Sequence, residues 1–340
     1  MKNKLFLITN ESIYEDENNC FFCDNIDLKS IPECLNKFSE VNVIGRSSNQ
    51  KRSKMINIDN INISNNIFIF LINIFKSFKI KDAKYLIISL SPYTLVATLL
   101  LKIFFKKHFI YLRSNGFEEY KAIYGIFGSF VYYVIFKLGI IKAKLIACRK
   151  HLLKNNEGFI VNPSQLKDKW FTNIKTQINN KNKFLYVGRL RVEKGIFSLI
   201  EMLENTNINL TIVTSEKNKK LKKKYNNIEL ISYENYEDSI IKFYDEHGIF
   251  ILPSYTEAHP QVLDEALARS RPVIIFNEIE HVKRDREGVF VCDRNLQSLK
   301  DTFEHIKKNY TDILKKIEKN KLPTQKNFIN ELKIILFKNE

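Results

Sequence analysis

Five cysteines in 340 residues are too few, and odd in number, for a disulfide framework. Cys20 and Cys23 form a CxxC with Cys34 nearby, but no second CxxC and no suitably spaced histidine completes a zinc site. That spacing is therefore read as coincidence. No zinc finger, RNA-recognition signature or basic zipper occurs, which argues against a nucleic-acid partner. The triplet D-x-D is also absent. Glycine is scarce, ten residues in all, and Asn10 to Asn19 contains none, so no glycine-rich phosphate loop follows the first apolar segment. The start, MKNKLFLITNESIYEDENN, has too short an apolar run for a signal peptide and turns acidic at once. A cytoplasmic protein is the expectation.

What is present describes a globular chain, 44% hydrophobic and 27% charged, long enough for two domains. The formal charge is +16, a balance that suits nucleic acid, an anionic membrane surface or phosphorylated ligands. Lysines alternating with Phe and Ile in LLLKIFFKKHF (Leu99 to Phe109) fit a membrane interface, or a half-buried helix with a solvated basic end. IYGIFGSFVYYVIFKLGII (Ile123 to Ile141) approaches the length of a membrane span, but contains Lys137, Ser129 and three tyrosines. It is read as a buried or membrane-apposed helix.

Apolar strands alternate with helices along the first half: LFLIT (Leu5 to Thr9), VNVIG (Val41 to Gly45), YLIISL (Tyr85 to Leu90), HFIYLRS (His108 to Ser114) and KLIAC (Lys144 to Cys148). Strands apolar throughout and separated by helices indicate a parallel sheet covered on both faces. A second alternation runs from Phe184 to Cys292. The fold class expected is α/β, two doubly wound Rossmann-like domains facing each other across a cleft. Residues 1–165 form the first domain, 166–182 a polar linker and 183–322 the second domain. Residues 323–340 form a C-terminal helix, for which a return to the first domain is one option.

In such sheets ligands bind beyond the carboxyl ends of strands. Gly188 and Arg189 follow the strand FLYV, and Lys194 and Gly195 open the next helix, whose free N–H groups favour phosphate. Arg189 offers a fork of donors and Lys194 a point charge. After the strand IFILPS comes a loop with Glu257, Ala258 and His259, then Pro260 in the first helical turn and Glu265 on the helix. Carboxylates in such a place suit sugar hydroxyls. Taken singly, each reads as well as a surface charge, a helix cap or a structural histidine.

Together, GRLRVEKG (Gly188 to Gly195) and PSYTEAHPQVLDEALARSRPVI (Pro253 to Ile274) resemble glycosyltransferase family 4, the retaining group with the GT-B fold. The second segment is similar to that family's E-x7-E motif. The resemblance implies that Gly188, Arg189 and Lys194 meet the donor diphosphate and that Glu257, Ala258, His259 and Pro260 meet the donor sugar. It implies that Glu265 binds the ribose, with the base near Tyr233. Arg189, Lys194 and Glu257 are the catalytic candidates. It further implies an EC 2.4 hexosyltransferase with an NDP-sugar co-substrate, no cofactor and no divalent metal. The acceptor implied is a hydroxyl on a surface-polysaccharide or lipid-linked glycan intermediate, reached from the cytoplasmic face of the inner membrane. Three departures concern the acceptor side: the missing glycine loop, Ala258 where glycine is common, and RSNGFEEYK (Arg113 to Lys121) where a histidine is usual. Arg113, Asn115 and Glu118 are the acceptor-side candidates.

Two rivals stay open from sequence. A GT-B NDP-sugar epimerase would interconvert the donor without an acceptor. A non-catalytic nucleotide-sugar-binding subunit would bind it without transfer.

Overall fold

The computed structural model describes residues 4–175, 183–214, 225–232 and 236–338. The chain divides into two compact units, one of Met1–Pro163 with Lys326–Glu340, the other of Ser164–Gln325.

In the first unit the strands are β1 (Lys4–Glu15), β2 (Phe21–Cys23), β3 (Glu40–Ser47), β4 (Lys54–Ile56), β5 (Asn60–Ser64), β6 (Lys84–Ile88), β7 (His108–Leu112), β8 (Lys144–Ala147) and β9 (Phe159–Ile160). Seven of them form a parallel sheet in the order β5-β3-β1-β6-β7-β8-β9. Every residue of β6 and β7 is buried, as strands covered on both faces require. Covering helices are α1 (Ile26–Leu35), α2 (Ile67–Ser77), α3 (Pro92–Ile103) and α4 (Gly116–Gly139). Ser91 and Thr94 close a capping box at the start of α3, with Pro92 in its first turn. Gly125 in α4 has φ 65° and ψ −154°, so α4 is two helical segments joined at a kink.

The first strand differs from the sequence expectation. It does not stop at Thr9 but shifts register between Ile8 and Ser12 and runs on to Glu15, where β2 pairs with it antiparallel and β4 pairs with β2. Strand thus fills the place where a glycine-rich loop was looked for. Ile13 is buried between half-buried Ser12 and Tyr14, the alternation of a strand with one covered face.

The second unit contains β10 (Lys183–Val187), β11 (Asn209–Thr214), β12 (Ile228–Ser232), β13 (Ile249–Leu252), β14 (Val273–Phe276) and β15 (Val289–Cys292). All neighbours are parallel in the order β12-β11-β10-β13-β14-β15. Its helices are α5 (Ile196–Leu203), α6 (Tyr236–Glu246), α7 (Gln261–Ala268), α8 (Leu296–Lys308) and α9 (Tyr310–Ile317). The order reverses between β10 and β13, the point at which open α/β sheets hold ligands. The expected α/β class with two doubly wound sheets is what the chain forms.

Two readings of chain organisation need correction or placement. Residues 166–175, taken as linker, belong to the second unit: Leu166 and Trp170 are buried in its core. Polar composition hid this because guanidinium groups bind the segment through its backbone. Arg269 reaches the carbonyls of Trp170, Thr172 and Asn173 at 3.1, 2.7 and 2.9 Å, and Arg271 that of Lys175 at 2.6 Å. The last helix, α10 (Gln325–Phe337), buries Phe328, Ile329 and Leu332 among Leu5 and Leu7 of β1 in the first unit's core.

Candidate functional site

Beyond the carboxyl end of β10 the chain turns at Gly188, whose N–H donates to the Val213 carbonyl at 3.0 Å. The Tyr186 hydroxyl donates to the Arg189 carbonyl at 2.8 Å, which fixes the loop backbone while the Arg189 side chain stays exposed. A single 3-10 turn, Val192–Lys194, leads to Gly195 at φ 63°, the residue that starts α5. A Cβ on Gly195 would lie 1.9 Å from the Pro253 carbonyl oxygen. Only glycine lets the start of α5 pack so closely on the end of β13. The Tyr255 N–H donates to the Glu193 carbonyl at 3.0 Å and joins the two loops again.

That closeness brings the first pair of predicted residues together. Lys194 Nζ is 2.6 Å from Glu257 Oε1, and the Ser254 hydroxyl donates to the same oxygen at 2.7 Å. Both side chains are largely buried, 24% and 11% exposed, so the attraction is stronger than that of a surface pair. His281 Nε2 donates to the Glu257 carbonyl at 2.7 Å and holds the backbone from the other side.

His259 is placed differently. Its side chain is 3% exposed, with Nδ1 accepting from Arg284 Nη2 at 2.7 Å and Nε2 3.6 Å from Asp264 Oδ2. Asp264 is fully buried and paired with Arg286 at 2.6 Å. The imidazole is thus engaged at both nitrogens, which orders the loop and makes it a positioning group here. Pro260 is the residue before α7, at φ −74° and ψ 109°, and not in the first turn as the sequence suggested. Extended ψ at that position lets the helix begin one residue later. Ala258 is half-buried between Glu257 and His259.

Glu265 lies on the buried side of α7, 3% exposed, and accepts from the hydroxyl of Tyr244 on α6 at 3.0 Å. Tyr233 lies outside the described residues.

Sequence reasoning missed Arg294. From the loop after β15 its Nη2 donates to the carbonyls of Pro253 and Ser254 at 2.9 and 3.2 Å, and Nε pairs with Glu278 at 2.6 Å. Its guanidinium stacks 4.1 Å from the Tyr255 ring centroid. Nη1 is buried with no hydrogen-bond partner among the described residues and is 3.2 Å from where a Cβ of Gly195 would be. Extending the strand-end rule to GVFVC would have flagged it.

In the first unit, Arg113 follows β7 at the corresponding edge of the sheet. It donates to Asn25 Oδ1 at 2.5 Å and pairs with Asp27 and Glu11 at 3.2 and 3.5 Å. Burial alone would lower the guanidinium's proton affinity, yet the Asp27 and Glu11 carboxylates raise it overall. Glu11, Asn25 and Asp27 were not singled out from the sequence because the extension of β1 was not foreseen. Asn115 precedes α4 without a side-chain capping bond, its Oδ1 buried with no partner among the described residues, and Glu118 is exposed in the first turn.

Residues 168–323 match the family model described as glycosyl transferases group 1. An uncharacterized glycosyltransferase of Haemophilus influenzae is 31% identical over 153 residues, 42% of each chain, so the match spans less than half of that relative. Among solved structures, sucrose-phosphate synthase from Thermosynechococcus elongatus is similar at TM-score 0.66 and 15% identity, covering 98% of this chain and 95% of that one. The Anabaena protein HepE, solved with UDP and glucose, is similar at TM-score 0.68 and 13% identity over 99% of both chains. These likenesses show the GT-B fold. The segment that matches the glycosyl transferases group 1 model, residues 168–323, contains the Lys194–Glu257 pair.

Proposed function

We propose that the chain transfers a sugar from an NDP-sugar to a hydroxyl acceptor with retention of configuration, without a divalent metal. The observation that carries this reading is the Lys194–Glu257 pair, 2.6 Å apart where the strand order reverses, with Arg189 exposed on the same loop. A diphosphate entering beyond β10 meets Arg189, Lys194 and the first turn of α5, three sources of positive potential on one short segment. When the phosphates draw Lys194, the Glu257 carboxylate is released to accept from sugar hydroxyls. Negative charge grows on the departing nucleotide as the glycosidic bond breaks, and Arg189 and Lys194 are fixed to stabilise it. Glu265 accepts from the ribose in this reading, which requires it to share its hydrogen bond with Tyr244. The HepE structure with UDP and glucose supports a nucleotide-sugar donor on this fold. The acceptor class is a surface-polysaccharide or lipid-linked glycan intermediate at the cytoplasmic membrane face, with Arg113, Asn115 and Glu118 on the acceptor side.

The test is a thermal-shift panel of UDP-, GDP- and ADP-sugars followed by product analysis with the stabilising donor. A donor that raises the unfolding temperature and a glycosylated product support the reading. Epimerised donor, or binding without turnover across a range of hydroxyl acceptors, overturns it.

A further inference from the structure

In the first unit, the second segment of α4, residues 126–139, turns an apolar stripe outward. Ile126 is 84% exposed, and Phe127, Phe130, Tyr133 and Leu138 follow it at helical spacing, over about 21 Å of helix. The opposite side, with Tyr132, Ile135 and Phe136, is buried against the sheet, so the helix is apolar on both faces. The patch does not end with the helix. Lys142 lies 5.2 Å from the Phe105 ring centroid, and the neighbouring Phe104 packs edge-on against Phe75 of α2 at 5.5 Å. Phe105 is 83% exposed, and Phe68 on the outer face of α2 is also exposed. A continuous surface of this kind marks an interaction site.

Charge identifies the occupant. From Asn60 to Asn156 the sequence has fifteen Lys and Arg against only Asp82, Glu118 and Glu119, twelve of the chain's sixteen net positive charges. Glu118 and Glu119 lie in the first turn of α4, ahead of the kink. Lys102, Lys106 and Lys107 border the Phe104–Phe105 edge, and Lys137 and Lys142 border the α4 stripe. A protein partner would be expected to offer matching carboxylates to a few fixed lysines. A ring of lysines with long apolar stems around exposed aromatics fits a plane of lipid phosphates over acyl chains instead. Among the described residues no helix is long and apolar enough to cross a membrane.

We propose that the outer face of α4, with the exposed ends of α2 and α3, docks on an anionic bilayer surface, the aromatics entering the headgroup region and the lysines meeting lipid phosphates. The inference needs no nucleotide sugar, so it stands or falls apart from the transferase reading.

Flotation of the full chain with phosphatidylcholine vesicles, and with the same vesicles containing phosphatidylglycerol, tests it. Binding is expected with the anionic vesicles and at least about tenfold less with neutral ones, since each lysine near the surface contributes about 1 kcal/mol. The triple variant Ile126→Ser, Phe127→Ser, Phe130→Ser should lose about tenfold or more of the anionic binding, with its unfolding temperature unchanged because these side chains are exposed. Should the triple variant fail to fold, Phe127→Trp supplies a second readout, because the sole native tryptophan, Trp170, is buried in the other unit. Its emission should shift to the blue with anionic vesicles. No flotation with anionic vesicles, or no shift from the Phe127→Trp variant, overturns the proposal. So does concentration-dependent self-association that the triple variant abolishes, which would assign the face to a second copy.

Discussion

Lys194 Nζ and Glu257 Oε1 lie 2.6 Å apart although 63 residues separate them, because the loops after β10 and β13 meet where the strand order reverses. The pair is held from both sides, by Ser254 on the carboxylate and by Gly195 packed on the Pro253 carbonyl. Under the proposed function, Lys194→Ala removes a charge aimed at the leaving diphosphate. Its kcat/KM should fall by about 100-fold or more, the loss typical of one transition-state donor. Far-ultraviolet circular dichroism should be unchanged. Glu257→Gln keeps the shape but cannot accept as strongly, so titration calorimetry with the donor should show weaker binding. Wild-type turnover in Lys194→Ala would remove the central claim.

Gly195 is the point on which that meeting of loops depends. An alanine there adopts a left-handed backbone at a cost of about 1 kcal/mol or more and places its Cβ against a carbonyl oxygen that cannot retreat without moving β13. Gly195→Ala should therefore destabilise by about 2 kcal/mol or more. Differential scanning calorimetry would register a drop of several degrees in the second unit's transition.

Much of this was legible in the sequence. The strands FLYV and IFIL carry their own burial, apolar without interruption, and the residues after them fall at strand ends as the parallel arrangement demands. Lys194 and Glu257 could be proposed as one site because both follow such strands. What the sequence hides is long-range satisfaction of polar groups. His259 reads in the sequence as a donor-side residue or a structural histidine, and only the structure shows Asp264 and Arg284 at its two nitrogens. Residues 166–175 look like linker because their anchors, Arg269 and Arg271, lie about a hundred positions away. The extension of β1 past Thr9 is invisible because β2, which pairs with it, and β4, which pairs with β2, are three-residue strands too short to show a period.

Arg269 carries a testable cost. Its guanidinium is 1% exposed and binds Asp245 through two bonds of 2.9 and 2.8 Å as well as the three carbonyls. Arg269→Ala leaves the Asp245 carboxylate buried with Arg271, 3.6 Å away, as its one remaining charged partner among the described residues. The expected loss is about 3–5 kcal/mol. Residues 166–175 should become susceptible to limited proteolysis well before the unit unfolds. Arg269→Lys keeps the charge but not the fork of donors, and should lie between the two in both measurements.

Stability should also fall in mild acid, for a reason located at two histidines. His247 is buried with Nδ1 at the Phe243 carbonyl and Nε2 at the Thr211 hydroxyl, 2.7 and 2.8 Å away. Burial lowers its proton affinity below the ordinary value of 6.5, more than its bond to the Phe243 carbonyl raises it. Burial lowers that of His108 in the same way, against the Lys106 carbonyl. The unfolded chain therefore takes up protons near pH 6.5 while the folded chain does not. Their contribution is fully present above that pH and declines as pH falls toward the folded-state values. The unfolding temperature should decrease between about pH 7 and 5. His247→Gln, whose amide cannot titrate, should flatten part of that slope while costing some stability at neutral pH. An unchanged slope in His247→Gln would show that the acid limb arises elsewhere.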